Sequence, residues 1–298
     1  MPTPHKPKGP PPNATSLLAR IRNLAKRRET TEQRITVAVC NTAISQMLPP
    51  GVIKGGTAMK LRIGEAGSRF TPDVDGSRRA DMALEDYLDA LEKNLRSGWG
   101  GFTGRLVHKK TPEPAGVPKE YVMRPFEVKL SYKGDSIKTL DFELGRDEVG
   151  STETAVVTIA TDILELFGEL ELPLPNPVPL LATEHQIAQK LHACSTPNVL
   201  GTNDRAHDLV DLQLLVETDP PDLETLNEVG SRLFAARRAG EWPPEVRLWP
   251  EWDGLYAEAA DGLQVLSNVS EAVDWANKLV KSAVEAGEAA PAATYLSR

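Results

Sequence analysis

Apolar positions along the chain switch between two periods, and the switches predict its elements. Leu17, Leu18, Ile21, Leu24 and Ala25 recur at helical spacing after Ser16, which predicts an amphipathic helix. Thr30 or Thr31 offers a cap for a second helix holding Ile35, Val37, Val39, Ala43, Ile44 and Met47, and Pro49-Pro50-Gly51 ends it. Val52 and Ile53 start a short strand, Gly55-Gly56 breaks it, and Thr57 to Arg62 starts a helix. Leu84, Leu88, Leu91 and Leu95 stripe a helix over 81–97, and a basic, glycine-bearing stretch follows to Lys110. From Phe126 to Tyr132 apolar and polar residues alternate, Lys133-Gly134-Asp135 turns the chain, and 136–144 run back as the second arm of a hairpin.

Pro173, Pro175, Pro177 and Pro179 predict a stiff extended linker over 173–181. Beyond it the pattern is helical, and 286–298 are alanine-rich and expected to fray. The fold class is therefore α+β. A disordered tail is expected over 1–14, a mixed-sheet domain with flanking helices over 15–172, and an all-helical domain over 182–298.

Composition narrows the classes. With 298 residues, 40% of them hydrophobic, a sizeable core can form, which excludes a wholly disordered chain. Cys40 and Cys194 alone give neither a disulfide framework nor a cysteine-rich zinc site, so a reducing cytoplasm is expected. No apolar run approaches the length of a membrane helix, and no apolar signal core stands at the N-terminus. A net charge of −8 argues against a protein that coats nucleic acid. The charge is uneven, however: within residues 1–30 seven basic residues face Glu29 alone, whereas from Glu251 onward eight acids face three bases.

Three stretches carry candidate chemistry. Lys54-Gly55-Gly56-Thr57-Ala58 is a strand-to-helix turn, where glycines let backbone N–H groups approach a phosphate at a helix N-terminus. No Gly-Lys-Ser/Thr follows, so it is not a Walker loop. In Asp73-Val74-Asp75 an extended backbone aims both carboxylates the same way and Val74 into the core. Two like charges side by side call for a cation, and Mg²⁺ or Mn²⁺ suits carboxylate oxygens. On the strand 136–144, Thr139, Asp141 and Glu143 share the face opposite Leu140, Phe142 and Leu144. Asp141 is the preferred third carboxylate of a two-metal site and Glu143 its competitor.

Lys54-Gly-Gly-Thr-Ala-Met-Lys-Leu-Arg62 followed by Arg69-Phe-Thr-Pro-Asp-Val-Asp75 resembles the signature of AbiEii/AbiGii-type, MenT-like nucleotidyltransferase toxins of the DNA polymerase β-like superfamily. Glu184-His-Gln-Ile-Ala-Gln-Lys190-Leu-His192 and Arg205-Ala-His-Asp208-Leu-Val-Asp211-Leu resemble the family's two later motifs. Thr57 departs from the serine common in the superfamily, and His207 stands where a basic residue is usual. The resemblance implies a polymerase β-like nucleotidyltransferase domain, transfer of NMP from an NTP to the 3′ acceptor end of tRNA, a block of translation, and a neutralising antitoxin. It implies that Gly55, Gly56 and Thr57 hold the triphosphate and that Asp73 and Asp75 bind metal. By the same resemblance Lys190 contacts phosphate, and Asp208 or Asp211 completes the site from the helical half.

In that half, Thr183 and Gln186 have the spacing of a capping box for the helix carrying Lys190. Asp204, Asp208 and Asp211 recur on one face of the next helix, where they could orient Lys190 or Arg205. Lys60, Arg62, Arg69, Arg78, Arg79, Arg105, His108, Lys109 and Lys110 are candidate RNA-phosphate contacts, with Phe70, Trp99 and Phe102 as stacking candidates. Thr71, two residues before the first metal ligand, is a candidate phosphorylation site. The competing functions are NMP transfer to a protein or small-molecule hydroxyl, and a non-catalytic nucleotide- or RNA-binding module.

Overall fold

Asn13 and Thr31 each cap a helix, as short polar side chains with a free oxygen do. Asn13 accepts from the Ser16 N–H at the start of α1 (Ala14–Arg27), and Thr31 accepts from the Arg34 N–H at the start of α2 (Glu32–Ser45). α1 buries its Leu17, Ile21, Leu24 and Ala25 stripe; α2 is buried along most of its length. These elements come from a computed structural model that describes residues 9–112, 122–198 and 200–289. The chain divides into two compact units, Met1–Leu181 and Ala182–Arg298.

In the first unit the elements after α2 run β1 (Gly51–Lys54), α3 (Gly55–Ile63), β2 (Val74–Arg78), α4 (Leu84–Ser97), β3 (Phe102–His108), β4 (Arg124–Tyr132), β5 (Asp135–Arg146), β6 (Val156–Thr158), α5 (Thr161–Glu169) and β7 (Val178–Leu180). The strands form one mixed sheet in the order β3-β4-β5-β2-β1-β7-β6. β2 runs parallel to β5, and β1 parallel to β7. β4 and β5 are the expected hairpin. One face buries Phe102, Phe126, Val128, Leu130, Leu140, Phe142 and Leu144 against the apolar faces of α1, α2, α4 and α5. That core accounts for most of the unit's stability, at roughly 25 cal/mol per Å² of apolar surface removed from water.

Three expectations change here. Residues 9–14 are not a loose tail: Pro11 is buried and its carbonyl accepts from the Tyr132 hydroxyl at 2.9 Å, while Gly9 O accepts from Arg20 at 2.9 Å. Residues 1–8 lie outside the described residues. The proline-rich segment is not only a connector, because Val178–Leu180 joins the sheet between β1 and β6. Its prolines fall on odd positions, which leaves Val178 and Leu180 to point inward and Pro179 between them to take the other face. The basic stretch after Gly98 holds β3, anchored by Phe102 and Leu106, with three glycines that hide its period.

The second unit is helical among the described residues: α6 (Thr183–Ser195), α7 (His207–Thr218), α8 (Leu223–Arg237), α9 (Trp252–Ala260) and α10 (Val269–Ala289). One set of buried polar groups closes on itself. Gln213 donates to the Tyr256 hydroxyl at 3.0 Å, that hydroxyl donates to Leu266 O at 2.8 Å, and Leu266 N returns to Gln213 at 2.8 Å. The expected capping box at Thr183 is not formed. α6 has Ala182 at its cap position, and the Thr183 hydroxyl instead donates to Asp219. Of the end expected to fray over 286–298, residues 286–289 are helical, since α10 runs to Ala289; residues 290–298 lie outside the described residues. No helix among the described residues is long and apolar enough to cross a membrane.

Candidate active site

β1 ends at Lys54, and the chain enters α3 through Gly55 at φ +62°, a conformation that strains any other L-residue. The two glycines answer to specific neighbours. A Cβ on Gly55 would stand 2.0 Å from Asp75 Oδ2, and one on Gly56 would stand 2.2 Å from Thr71 Oγ1. The turn therefore exists in this form so that the β2 carboxylate and the segment before it can pack against its backbone. Gly56→Ala should cost about 1–3 kcal/mol through that overlap. Thermal unfolding would show it, and Thr71→Ala in the same chain should recover part of the loss.

Thr57 is fully buried. Its hydroxyl donates to Asp73 O at 2.6 Å and accepts from Asn41 Nδ2 at 3.0 Å. Asn41 also reaches Asp73 O at 3.1 Å and Thr71 O at 3.4 Å. The hydroxyl thus fixes the backbone that presents Asp73, and its proton is committed there rather than offered to a triphosphate. Asn41, a buried polar residue among apolar neighbours of α2, belongs to this scaffold. Sequence reasoning missed it, and its only signal was an amide in the midst of the mostly apolar run 37–44.

Asp73 precedes β2, Val74 is buried in the core, and Asp75 is half-buried on the opposite face. Asp75 stands opposite Lys54 on β1 and opposite Glu143 on β5. The register places the two candidates for a third carboxylate differently. Glu143 is half-buried beside Asp75; burial pushes its carboxyl up, the Asp73 charge adds to this, and the Lys54 ammonium opposes it. Asp141, the preferred candidate from sequence, is 62% exposed and bonds Lys109 Nζ at 2.6 Å. Lys109 also lies 3.5 Å from Glu127, so Asp141 belongs to a surface ion-pair set.

Among the described residues no group of three or more His, Cys, Asp or Glu side chains is arranged to hold a metal ion by itself. The expected three-carboxylate cage is therefore not preassembled. The donors still suit Mg²⁺, which takes one or two carboxylates plus substrate phosphates more often than an all-protein cage.

Thr71 is 3% exposed with its hydroxyl packed against Gly56, so a modifying enzyme reaches it only if the segment before Asp73 opens. Several expected RNA contacts are placed elsewhere. Lys60 is fully buried 2.9 Å from Glu65, which also lies 2.9 Å from Arg34. Burial pushes the Lys60 ammonium down and Glu65 opposes it. Arg62 donates to Leu181 O, Arg78 to Met82 O, and Arg79 pairs with Asp81. Phe102 is a core side chain, and Trp99 lies edge-on to Phe167 at 5.9 Å. Arg105, His108, Lys109 and Lys110 remain exposed.

In the second unit Lys190 is buried. Its Nζ bonds Asp208 Oδ1 at 2.9 Å and Asp211 Oδ2 at 2.6 Å. Arg205 Nε bonds Asp208 Oδ2 at 2.8 Å. Burial alone would push the Asp208 carboxyl up; the Lys190 and Arg205 charges override it and hold it well below the usual range. The three motif residues do come together, with the two acids gripping the lysine. Cys40 and Cys194 are buried and burial pushes both thiols up, Cys40 to about 12, so neither serves as a thiolate nucleophile.

A family model described as nucleotidyl transferase AbiEii toxin, type IV toxin–antitoxin system, matches residues 42–279. The structure is similar to MenT4, a nucleotidyltransferase toxin from Mycobacterium tuberculosis H37Rv, at 15% identity and a TM-score of 0.53, over 90% of this chain and 98% of that one. At that identity the likeness is one of fold. No curated protein matches the chain.

Proposed function

Because this chain belongs to the AbiEii nucleotidyltransferase toxin family, we propose that it transfers a nucleoside monophosphate from an NTP to the 3′ acceptor end of tRNA and is neutralised by a cognate antitoxin. The observation that carries the chemistry is the packing of Asp75 against the Gly55 turn, with Glu143 beside it in register. It sets acidic donors next to the N-terminal end of α3, where an anion is favoured. The tRNA acceptor and the antitoxin rest on the sequence resemblance.

In this reading the acceptor hydroxyl oxygen attacks the α-phosphorus. The new O–P bond forms as the bond to the β-phosphate bridge breaks, pyrophosphate leaves with the electron pair, and the hydroxyl proton passes to water. Asp73 and Asp75 would hold Mg²⁺, which when bound stabilises the charge building on the phosphates. Thr57 and Asn41 keep Asp73 in place through its carbonyl. Gly55 and Gly56 present backbone to the triphosphate, and Glu143 acts as the third carboxylate in place of Asp141. In the second unit Asp208 and Asp211 position Lys190, the proposed phosphate contact.

Purified protein given labelled NTPs, Mg²⁺ and total RNA should label tRNA 3′ ends. Label on a protein band instead would favour the alternative acceptor, and no label on anything would favour a binding module. The choice of third carboxylate has its own test in the same assay. Glu143→Gln should slow transfer about a hundredfold or more, whereas Asp141→Asn should stay within about threefold. The reverse pattern would restore Asp141 to the site.

A further inference from the structure

β3, β4 and β5 bury one face and leave the other to polar side chains. On that second face Arg105 of β3 and Lys129 of β4 stand directly opposite each other in the ladder, and Thr139 of β5 continues the row. Arg105, Lys129 and Thr139 are all exposed. Like charges directly opposite on adjacent strands destabilise a sheet, with cross-strand Cβ atoms only about 5 Å apart. Neither cation has a hydrogen-bond or ion-pair partner among the described residues. The nearest acids in the ladder, Glu127 and Asp141, are one row away and already shared by Lys109. Among the described residues nothing offsets this repulsion, on the face that also carries Asp75 and Glu143.

We propose that Arg105 and Lys129 form a clamp for the phosphate backbone of a single-stranded RNA whose 3′ end lies at the carboxylates; this rests on the reading that RNA is the acceptor. Lys129 shares its row with Thr139, and Thr139 lies four residues before Glu143 on β5. At about 3.4 Å per residue that is roughly 14 Å along the sheet. At about 3.4 Å per stacked nucleotide the same length holds roughly four nucleotides of one strand. A phosphate between the two cations relieves their repulsion and releases counterions, and it needs no base-specific contact. An RNA strand fits better than an acidic protein segment. The row holds no apolar side chain, and it lies on the same sheet face as the acid pair proposed to meet the strand's end, two rows away.

The test measures binding of a fluorescein-labelled short single-stranded RNA across a salt series, for the wild type, R105A/K129A, and K93A/R96A as a charge-matched control on α4. The double variant should weaken RNA binding about tenfold or more and make the salt slope shallower by about 1.4, with the control unchanged. With tRNA as acceptor, KM should rise by a similar factor while kcat stays within about twofold. Unchanged affinity and slope in R105A/K129A would overturn the clamp. So would loss of polyglutamate binding with RNA binding intact, which would assign the row to an acidic protein. A wild type that labels no RNA, yet binds it with a slope dependent on these two residues, would keep the clamp and remove the acceptor reading.

Discussion

Asp75→Asn is expected to reduce nucleotidyl transfer about a thousandfold or more while leaving the protein folded. The substitution keeps the shape that packs against Gly55 and removes the charge beside Glu143. If that charge holds a metal ion on the transferring phosphate, its loss removes several kcal/mol of transition-state stabilisation. At about 1.4 kcal/mol per factor of ten, some 4 kcal/mol is about three orders of magnitude. Stability should change little, because Asp75 stands between a like charge, Glu143, and an opposite one, Lys54. Single-turnover rates with saturating NTP, together with a thermal melt, check both halves. A variant that keeps near-normal rates would remove Asp75 from the chemistry, and one that melts early would mark it as structural.

The second large effect is on folding. Lys190→Met should lower the stability of the helical unit by about 3–5 kcal/mol, because it strips the shared cation from two buried carboxylates. Asp211→Asn in the same chain should return part of that loss by removing one of the two charges. The pH dependence gives an independent sign. In the wild type the Asp208 carboxyl is held below its usual range, so its contribution is present above about pH 4 and is lost as pH falls. In Lys190→Met the carboxylates lack that cation, so acid should relieve the defect, and the gap to the wild type should narrow as pH is lowered. Denaturant midpoints for both proteins across pH 4–8 would show whether the gap narrows. A constant gap would mean that lost packing, not charge, dominates.

The two predictions probe different kinds of residue. Asp75 is half-buried on the sheet face, between Glu143 on β5 and Lys54 on β1. Lys190 is enclosed, and its neighbours neutralise it. The motif spacing alone does not tell these situations apart, since both residues stand in stretches that resemble the same family. What separates them is burial, and burial is set by packing between elements distant in sequence.

The chain by itself determined a good deal. The helical and alternating periods placed α1, α2, α4, the β4–β5 hairpin and the helical second unit, because apolar spacing within one element is a local property. The acid pair Asp73 and Asp75, with Val74 between them in the core, was legible for the same reason: alternation along one strand is written in three residues. The fold family was legible because four short motifs occur in order between Lys54 and Leu212, inside the residues 42–279 that the family model matches.

The tertiary structure decided what depends on partners outside the segment. It chose Glu143 over Asp141 as the neighbour of Asp75, since the two share a face of β5 and only the register against β2 distinguishes them. Long-range pairing also set Val178–Leu180 into the sheet, where four prolines had suggested a stiff extended linker. Thr57 proved to be a brace for the Asp73 backbone, and Lys60 proved to be half of a buried ion pair, because their partners Asn41 and Glu65 lie on other segments. Arg105, a candidate RNA contact from sequence, and Lys129, 24 positions on, became a like-charged pair only when β3 met β4. Periodicity tells which way a side chain points along its own element; which neighbour it meets is fixed when the strands choose their register and the helices their faces.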